Sequence, residues 1–203
     1  MFSNRFKDLA GALDSCKYST QEKSIDENEA LQLAFKMIGF TRFQNGIVYV
    51  IGNGGSAGIA SHFSTDLIKC LQIPSQTFYD SNLMTCLSND YGYENVFSYP
   101  LEKLLKPHDL VVAISSSGKS PNIIKAAETT LARKASLFTL SGFSEQNPLR
   151  KLGQLNFWAD RCDYGLVETA HFFLLHAIID LWNKNPITEM EYAKIFRNAN
   201  AKK

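Results

Sequence analysis

What this sequence has little of narrows the field first. It holds only four cysteines, Cys16, Cys70, Cys86 and Cys162, widely scattered and with no C-x-x-C pair. That spacing excludes a thiol-rich metal ribbon, and the four are expected as buried free thiols in a reducing compartment. Charge of either sign is in short supply as a surplus: 21 basic against 20 acidic residues leave a net +1. No overall field draws the chain to nucleic acid or to an anionic membrane, so an acidic substrate has to be held by local groups. No apolar run is expected to approach the roughly 20 residues of a membrane span. The start, Met1-Phe2-Ser3-Asn4-Arg5, is too polar to open a secretory signal. The expectation is a cytoplasmic protein with no nucleic acid or membrane partner. Repeats, low-complexity segments and long linkers are missing as well, which predicts one domain over residues 1–203.

What is present is ordinary in amount and informative in order. Hydrophobic residues make up 45% and charged residues 20%, a balance that supports a packed core. The first 45 residues are helical in character, with helices expected over Met1–Lys17 and Asp26–Gln44. Ser24-Ile25-Asp26-Glu27 can cap the second, and Leu31, Phe35 and Ile38 recur along it at helical spacing. Phe2, Phe6, Leu9 and Leu13 suit packing on the chain's own sheet or on a neighbouring subunit equally well.

After Asn45-Gly46 the period changes. Ile47–Ile51 and Leu110–Ile114 are short β-branched runs of the kind found in buried parallel strands, and Gln76–Tyr79, Ser136–Leu140 and Leu155–Trp158 complete five expected strands. Helices are expected at Ala57–Leu71, Leu83–Leu87, Tyr93–Leu105, from Pro121 onward, and at Leu166–Lys184. The alternation predicts an α/β fold, a mostly parallel sheet with helices on both faces.

Two strands run into unusual loops. Gly52-Asn53-Gly54-Gly55-Ser56-Ala57 brings bare backbone close to any ligand, with a helix start behind it. Alone it is a weak signal: it also fits a plain tight turn or a dinucleotide fingerprint, with Asp80 as the ribose-binding acid. Ser115-Ser116-Ser117-Gly118-Lys119-Ser120-Pro121 sets four hydroxyls, a glycine and a helix start within seven residues. Hydroxyls and helix N–H groups together can satisfy phosphate oxygens. Two such loops on one sheet favour a phosphate site over a dinucleotide, so no nucleotide cofactor is expected.

His62 and Asp66 are four apart on the helix after the first loop, and Glu168 and His176 are eight apart on the last helix. Each pair shares a face. The four could hold zinc or a similar divalent ion, or form an acid–base pair that moves a proton. The plainer alternative is a hydrogen-bonded core histidine and a surface acid. Asn89-Asp90-Tyr91-Gly92 reads as a turn cluster.

Taken in order, Gly52-Asn53-Gly54-Gly55-Ser56, His62, Asn89-Asp90-Tyr91-Gly92, Ser115-Ser116-Ser117-Gly118-Lys119-Ser120 and the segment Glu168 to His176 resemble the phosphoheptose isomerases of the sugar isomerase (SIS) domain family, over about residues 45–185. The resemblance implies a flavodoxin-like three-layer αβα sandwich, a homotetramer, and conversion of sedoheptulose 7-phosphate to a heptose 7-phosphate for surface polysaccharide. It implies phosphate binding by Ser115, Ser116, Ser117 and Ser120. Asn53, Gly54, Gly55, Ser56, Asn89 and Asp90 would line the substrate. His62, Asp66, Glu168 and His176 would hold a metal, with Asp66, Glu168 and His176 also moving protons. Two positions depart from the family's usual pattern, which has Glu where this chain has Asp66 and Gln where it has Glu168. Other readings of the same residues are an isomerase of a different sugar phosphate, a non-catalytic sugar-phosphate-binding regulator, and a dinucleotide-dependent oxidoreductase.

Overall fold

The elements follow from the patterning. We describe a computed structural model, and the structure describes residues 2–184. In chain order they are α1 (Phe2–Asp14), β1 (Lys17–Ser19), β2 (Ser24–Ile25), α2 (Glu27–Phe43), β3 (Val48–Gly52), α3 (Gly55–Leu71), β4 (Ser75–Gln76), α4 (Ser81–Tyr91), a 3-10 turn (Tyr93–Asn95), α5 (Ser98–Leu104), β5 (Leu110–Ser115), α6 (Pro121–Ala132), β6 (Ser136–Gly142), α7 (Pro148–Leu152), β7 (Leu155–Ala159) and α8 (Tyr164–Lys184).

The sheet order is β2-β1-β7-β6-β5-β3-β4. The five strands from β3 to β7 run parallel, and β1 pairs antiparallel with both β7 and β2. Alternation along the central strands splits the core in two. Val48 and Val50 of β3 with Leu110, Val112 and Ile114 of β5 face α2, α3 and α8. Tyr49, Ile51, Val111 and Ala113 face α4, α5, α6 and α7. This is the expected three-layer sandwich. Two adjacent strands, β3 and β5, send their following helices to opposite faces, and such a switch point opens a crevice at the carboxyl ends of the strands.

Several details correct the sequence-based expectations. The cysteines are free but not buried: Cys70, Cys86 and Cys162 are exposed and Cys16 is half-buried. The helix expected over Tyr93–Leu105 is the 3-10 turn followed by the shorter α5. The sheet has seven strands, not five. The first helix stops at Asp14, before Lys17, and the chain enters β1, where Tyr18 packs edge-on against Phe157 with ring centroids 4.7 Å apart. The cap of α2 is Asp26, which accepts the Glu29 N–H at 2.8 Å, while Ser24 belongs to β2. The expected strand at Gln76–Tyr79 is Ser75–Gln76, and Tyr79 instead donates its hydroxyl to the Gly52 carbonyl at 3.0 Å. α2 buries Ala30, Ala34, Phe35 and Ile38 in the chain's own core, whereas α1 leaves Phe2 and Phe6 in solvent.

α8 also differs from expectation. By length and composition it could cross a membrane, so the expectation that no apolar run approaches that length does not hold. Its apolarity serves the core: Leu175, Ile178, Ile179 and Trp182 pack under the sheet beside α2 and α3.

Candidate active site

The glycine loop leaves β3 at Gly52 and turns into α3. Gly54 sits at φ +54° and ψ −123°, a conformation that side chains resist. Gly55 opens the helix. A Cβ there would strike the Glu168 carboxylate of α8, so the missing side chain is what lets Glu168 lie against the turn. No side chain caps α3, which leaves the positive end of its dipole open to an anion.

The serine loop leaves β5 at Ser115. Ser120 occupies the cap position of α6, yet its hydroxyl makes no capping bond. It lies 3.3 Å from the Ser115 hydroxyl instead. The Ser117 hydroxyl accepts the Lys119 N–H at 3.3 Å. The Ser116 hydroxyl is buried and has no hydrogen-bond partner among the described residues. An orphaned buried hydroxyl costs stability unless something completes it.

The two loops meet in one cleft of about 240 Å³. Asn53, Gly54, Gly55 and Ser56 form one side; Ser115, Ser116, Ser117 and Ser120 form the other; Glu168 and Tyr164 close it from α8. Asn53 is fixed before any ligand arrives. Its Nδ2 donates to Asn122 Oδ1 at 2.9 Å, and its Oδ1 accepts from Asn122 Nδ2 at 2.9 Å and from the Tyr93 hydroxyl at 3.1 Å.

Further along α3, His62 and Asp66 face His176 of α8. The Asp66 Oδ2 lies 3.3 Å from His62 Nε2 and 3.6 Å from His176 Nδ1. Donor atoms of all three lie within 4.8 Å of one another. Two imidazoles and a carboxylate suit zinc or a similar ion, whose tetrahedral ligands stand roughly 3.3 Å apart at bond lengths near 2 Å. The rings also pack: His62 meets Phe172 edge-on at 5.0 Å and His176 at 4.8 Å. Asp66 is the most sheltered of the three, with 17% of its side chain exposed against 48% for His62 and 37% for His176. Glu168, expected as a fourth ligand, is not part of this group and lies at the cleft against Gly55.

Asn89 and Asp90 are placed differently from expectation. They do not form a turn but end α4, which Gly92 terminates at φ +83°. Both are exposed, Asn89 donates to Asp90 Oδ1 at 2.9 Å, and neither lines the cleft. Tyr93 reaches Asn53 in their stead. Tyr164, Asn122 and Tyr93 are the site residues that sequence reasoning missed. None sits in a motif, and Tyr164 lies ahead of Leu166, where the last helix was expected to start.

Comparison with known proteins identifies the family. The SIS domain family matches residues 14–142. A phosphoheptose isomerase of Shewanella sediminis is 32% identical over 180 residues, covering 82% of this chain and 90% of that protein. One from Campylobacter concisus is 32% identical over 155 residues, covering 73% and 82%. The solved phosphoheptose isomerase from Francisella tularensis superposes with a TM-score of 0.78 at 21% identity, covering 91% of this chain and 97% of that one, a likeness of fold. The chain belongs to the SIS domain family, and within it to the phosphoheptose isomerases.

Proposed function

We propose that the chain converts sedoheptulose 7-phosphate to D-glycero-D-manno-heptose 7-phosphate, an aldose–ketose isomerisation that feeds lipopolysaccharide and surface polysaccharide synthesis. One observation carries this reading: a phosphate-sized cleft and an acid–base cluster share the same two helices. Gly55 and Ser56 begin α3 at the cleft, and His62 and Asp66 follow along it. The rise from Gly55 to His62 is about 10 Å. That is too long for a triose phosphate and within reach of an open-chain heptose phosphate.

In this reading the serine loop anchors the phosphate through the hydroxyls of Ser115, Ser116, Ser117 and Ser120 and the open end of α3. Asn53, Gly54 and Gly55 line the sugar chain, and Asn89 and Asp90 would have to reach it from a neighbouring copy. His62, Asp66 and His176 would hold zinc or a similar divalent ion, which when bound supplies polarisation of the carbonyl and its neighbouring hydroxyl. Asp66 or Glu168 takes the proton from the carbon beside the carbonyl. His176 moves the proton on the adjacent oxygen, and a cis-enediol joins ketose to aldose. Asp66 is one methylene shorter than the family's usual Glu, and the carboxylate of Glu168 offers a second base beside the cleft.

We place the protein in the cytoplasm as a homotetramer. Phe2 and Phe6 on α1 are 80% and 69% exposed, and Ile68 and Phe173 stand out from α3 and α8, which supports burial against further copies. Light scattering on the purified protein checks the assembly. The chemistry is tested by mixing the protein with sedoheptulose 7-phosphate, with and without zinc, and following the sugar by NMR; aldoheptose 7-phosphate is expected. Asp66 and Glu168 also favour a second reading, an isomerase of another sugar phosphate. Saturable binding with no conversion would turn the search to that substrate class, or to a binding module.

A further inference from the structure

The serine loop does not stand alone. Two backbone hydrogen bonds tie it to the segment after β6: Gly142 N–H donates to Ser116 O at 2.9 Å, and Leu149 N–H donates to Gly118 O at 3.1 Å. Asn147 sits between these ties and is fully buried. Its Nδ2 donates to Ser141 Oγ at 3.1 Å, Gly142 O at 3.3 Å and Ser144 O at 2.8 Å. Its Oδ1 accepts the Arg150 N–H at 3.0 Å. The same amide packs against Gly118, at φ +63°, so closely that no Cβ fits there.

From the other helix layer, His171 of α8 reaches the same strand end. It is fully buried, and its Nε2 lies 2.9 Å from the Ser141 carbonyl. A carbonyl only accepts, so the proton is on Nε2, and Nδ1 is left bare, without a partner among the described residues. Burial pushes this imidazole down to about 4, which keeps it neutral wherever the protein works. One polar chain therefore runs from His171 of α8 through Ser141 to Asn147, whose amide packs against Gly118.

We propose that Asn147 and His171 are positioning residues that hold the serine loop in its phosphate-binding shape. The proposal rests on the reading of that loop as the phosphate site. A loop fixed in advance loses little freedom on binding. One that holds the shape a tenth of the time binds about tenfold more weakly.

The test is calorimetric titration of wild type, Asn147→Ser, His171→Leu and His171→Gln with inorganic phosphate and with sedoheptulose 7-phosphate, beside steady-state kinetics. Asn147→Ser and His171→Leu are expected to weaken both ligands at least tenfold and to raise KM in step, with kcat at saturation within about threefold of wild type. His171→Gln, whose amide nitrogen can replace the Nε2 donor, is expected to recover most of the affinity. Zinc binding at His62, Asp66 and His176 is expected to stay unchanged. If Asn147→Ser does not fold by circular dichroism, the His171→Leu and His171→Gln pair decides. Folded variants with wild-type phosphate affinity, or with kcat lowered at constant KM, would overturn the positioning role alone. A wild-type protein that binds neither ligand would overturn it together with the phosphate site.

Discussion

The two halves of the site are built in opposite ways. The serine loop is anchored in the core: its Ser115 and Ser116, and Ser141 and Asn147 packed behind it, are buried, and apart from the Ser116 hydroxyl their side chains are already paired. The His62, Asp66 and His176 cluster stands on helix faces, with both histidines more than a third exposed and joined mainly through one carboxylate oxygen. A group that must recognise a fixed tetrahedral anion gains from rigidity. In the proposed reading, the groups that hold an ion and pass protons need room. The difference predicts that binding and turnover can be separated by mutation.

The sharpest way to break that separation is at His176. His176→Gln is expected to lower turnover by roughly a thousandfold, since a general acid–base group contributes 10²–10⁴-fold. Phosphate affinity in the same protein should match wild type by calorimetry. A parallel loss of both would show that the two halves are one unit.

The second test concerns the rigid half and pH. The folded value of His171, about 4, lies below its ordinary 6.5. As pH falls below 6.5 the unfolded chain takes up the proton first, so stability is whole above 6.5 and is lost down to about 4, with no further loss beyond. The window is worth up to roughly 3 kcal/mol. Denaturant melts across pH 4–7 should show a flatter profile in His171→Gln than in wild type.

The open half is sharpened by metal. Zinc at about a hundred times its dissociation constant is expected to raise stability by about 2.7 kcal/mol, read as a thermal shift of several degrees that Asp66→Ala removes. Gly118→Ala, which forces a side chain into a left-handed position against Asn147, should cost roughly 2 kcal/mol of stability and weaken phosphate, leaving the zinc shift intact. The smallest effect is expected from Glu168→Gln. It restores the amide usual in the family, and turnover should change by less than about tenfold if Asp66 is the base. A far larger fall would make Glu168 the base.

Much of this was legible in the sequence because the signals are local. The apolar runs at β3 and β5, the glycine and serine loops behind them, and the four-residue step from His62 to Asp66 each fix their own geometry. What was not legible depends on partners far along the chain. β1 and β2 are three and two residues long, and β1 exists through its pairing with β7, with Lys17 opposite Trp158. Asn147 looks like any loop asparagine until β6 brings it under Gly118. Asn89 and Asp90 carry turn propensity, yet α4 runs through them, started by an Asp80 cap that accepts the Leu83 N–H at 3.0 Å. The length and apolarity of α8 were not expected to approach a membrane span, and the helix passes that test by composition because Leu175 to Trp182 pack under the sheet.

The central claim is tested most directly by isomerisation in deuterium oxide, with sedoheptulose 7-phosphate followed by NMR. An enediol route worked by Asp66 or Glu168 with His176 predicts aldoheptose 7-phosphate carrying one solvent deuterium at C2. Saturable binding of the ketose without any aldose, at full zinc, would contradict it.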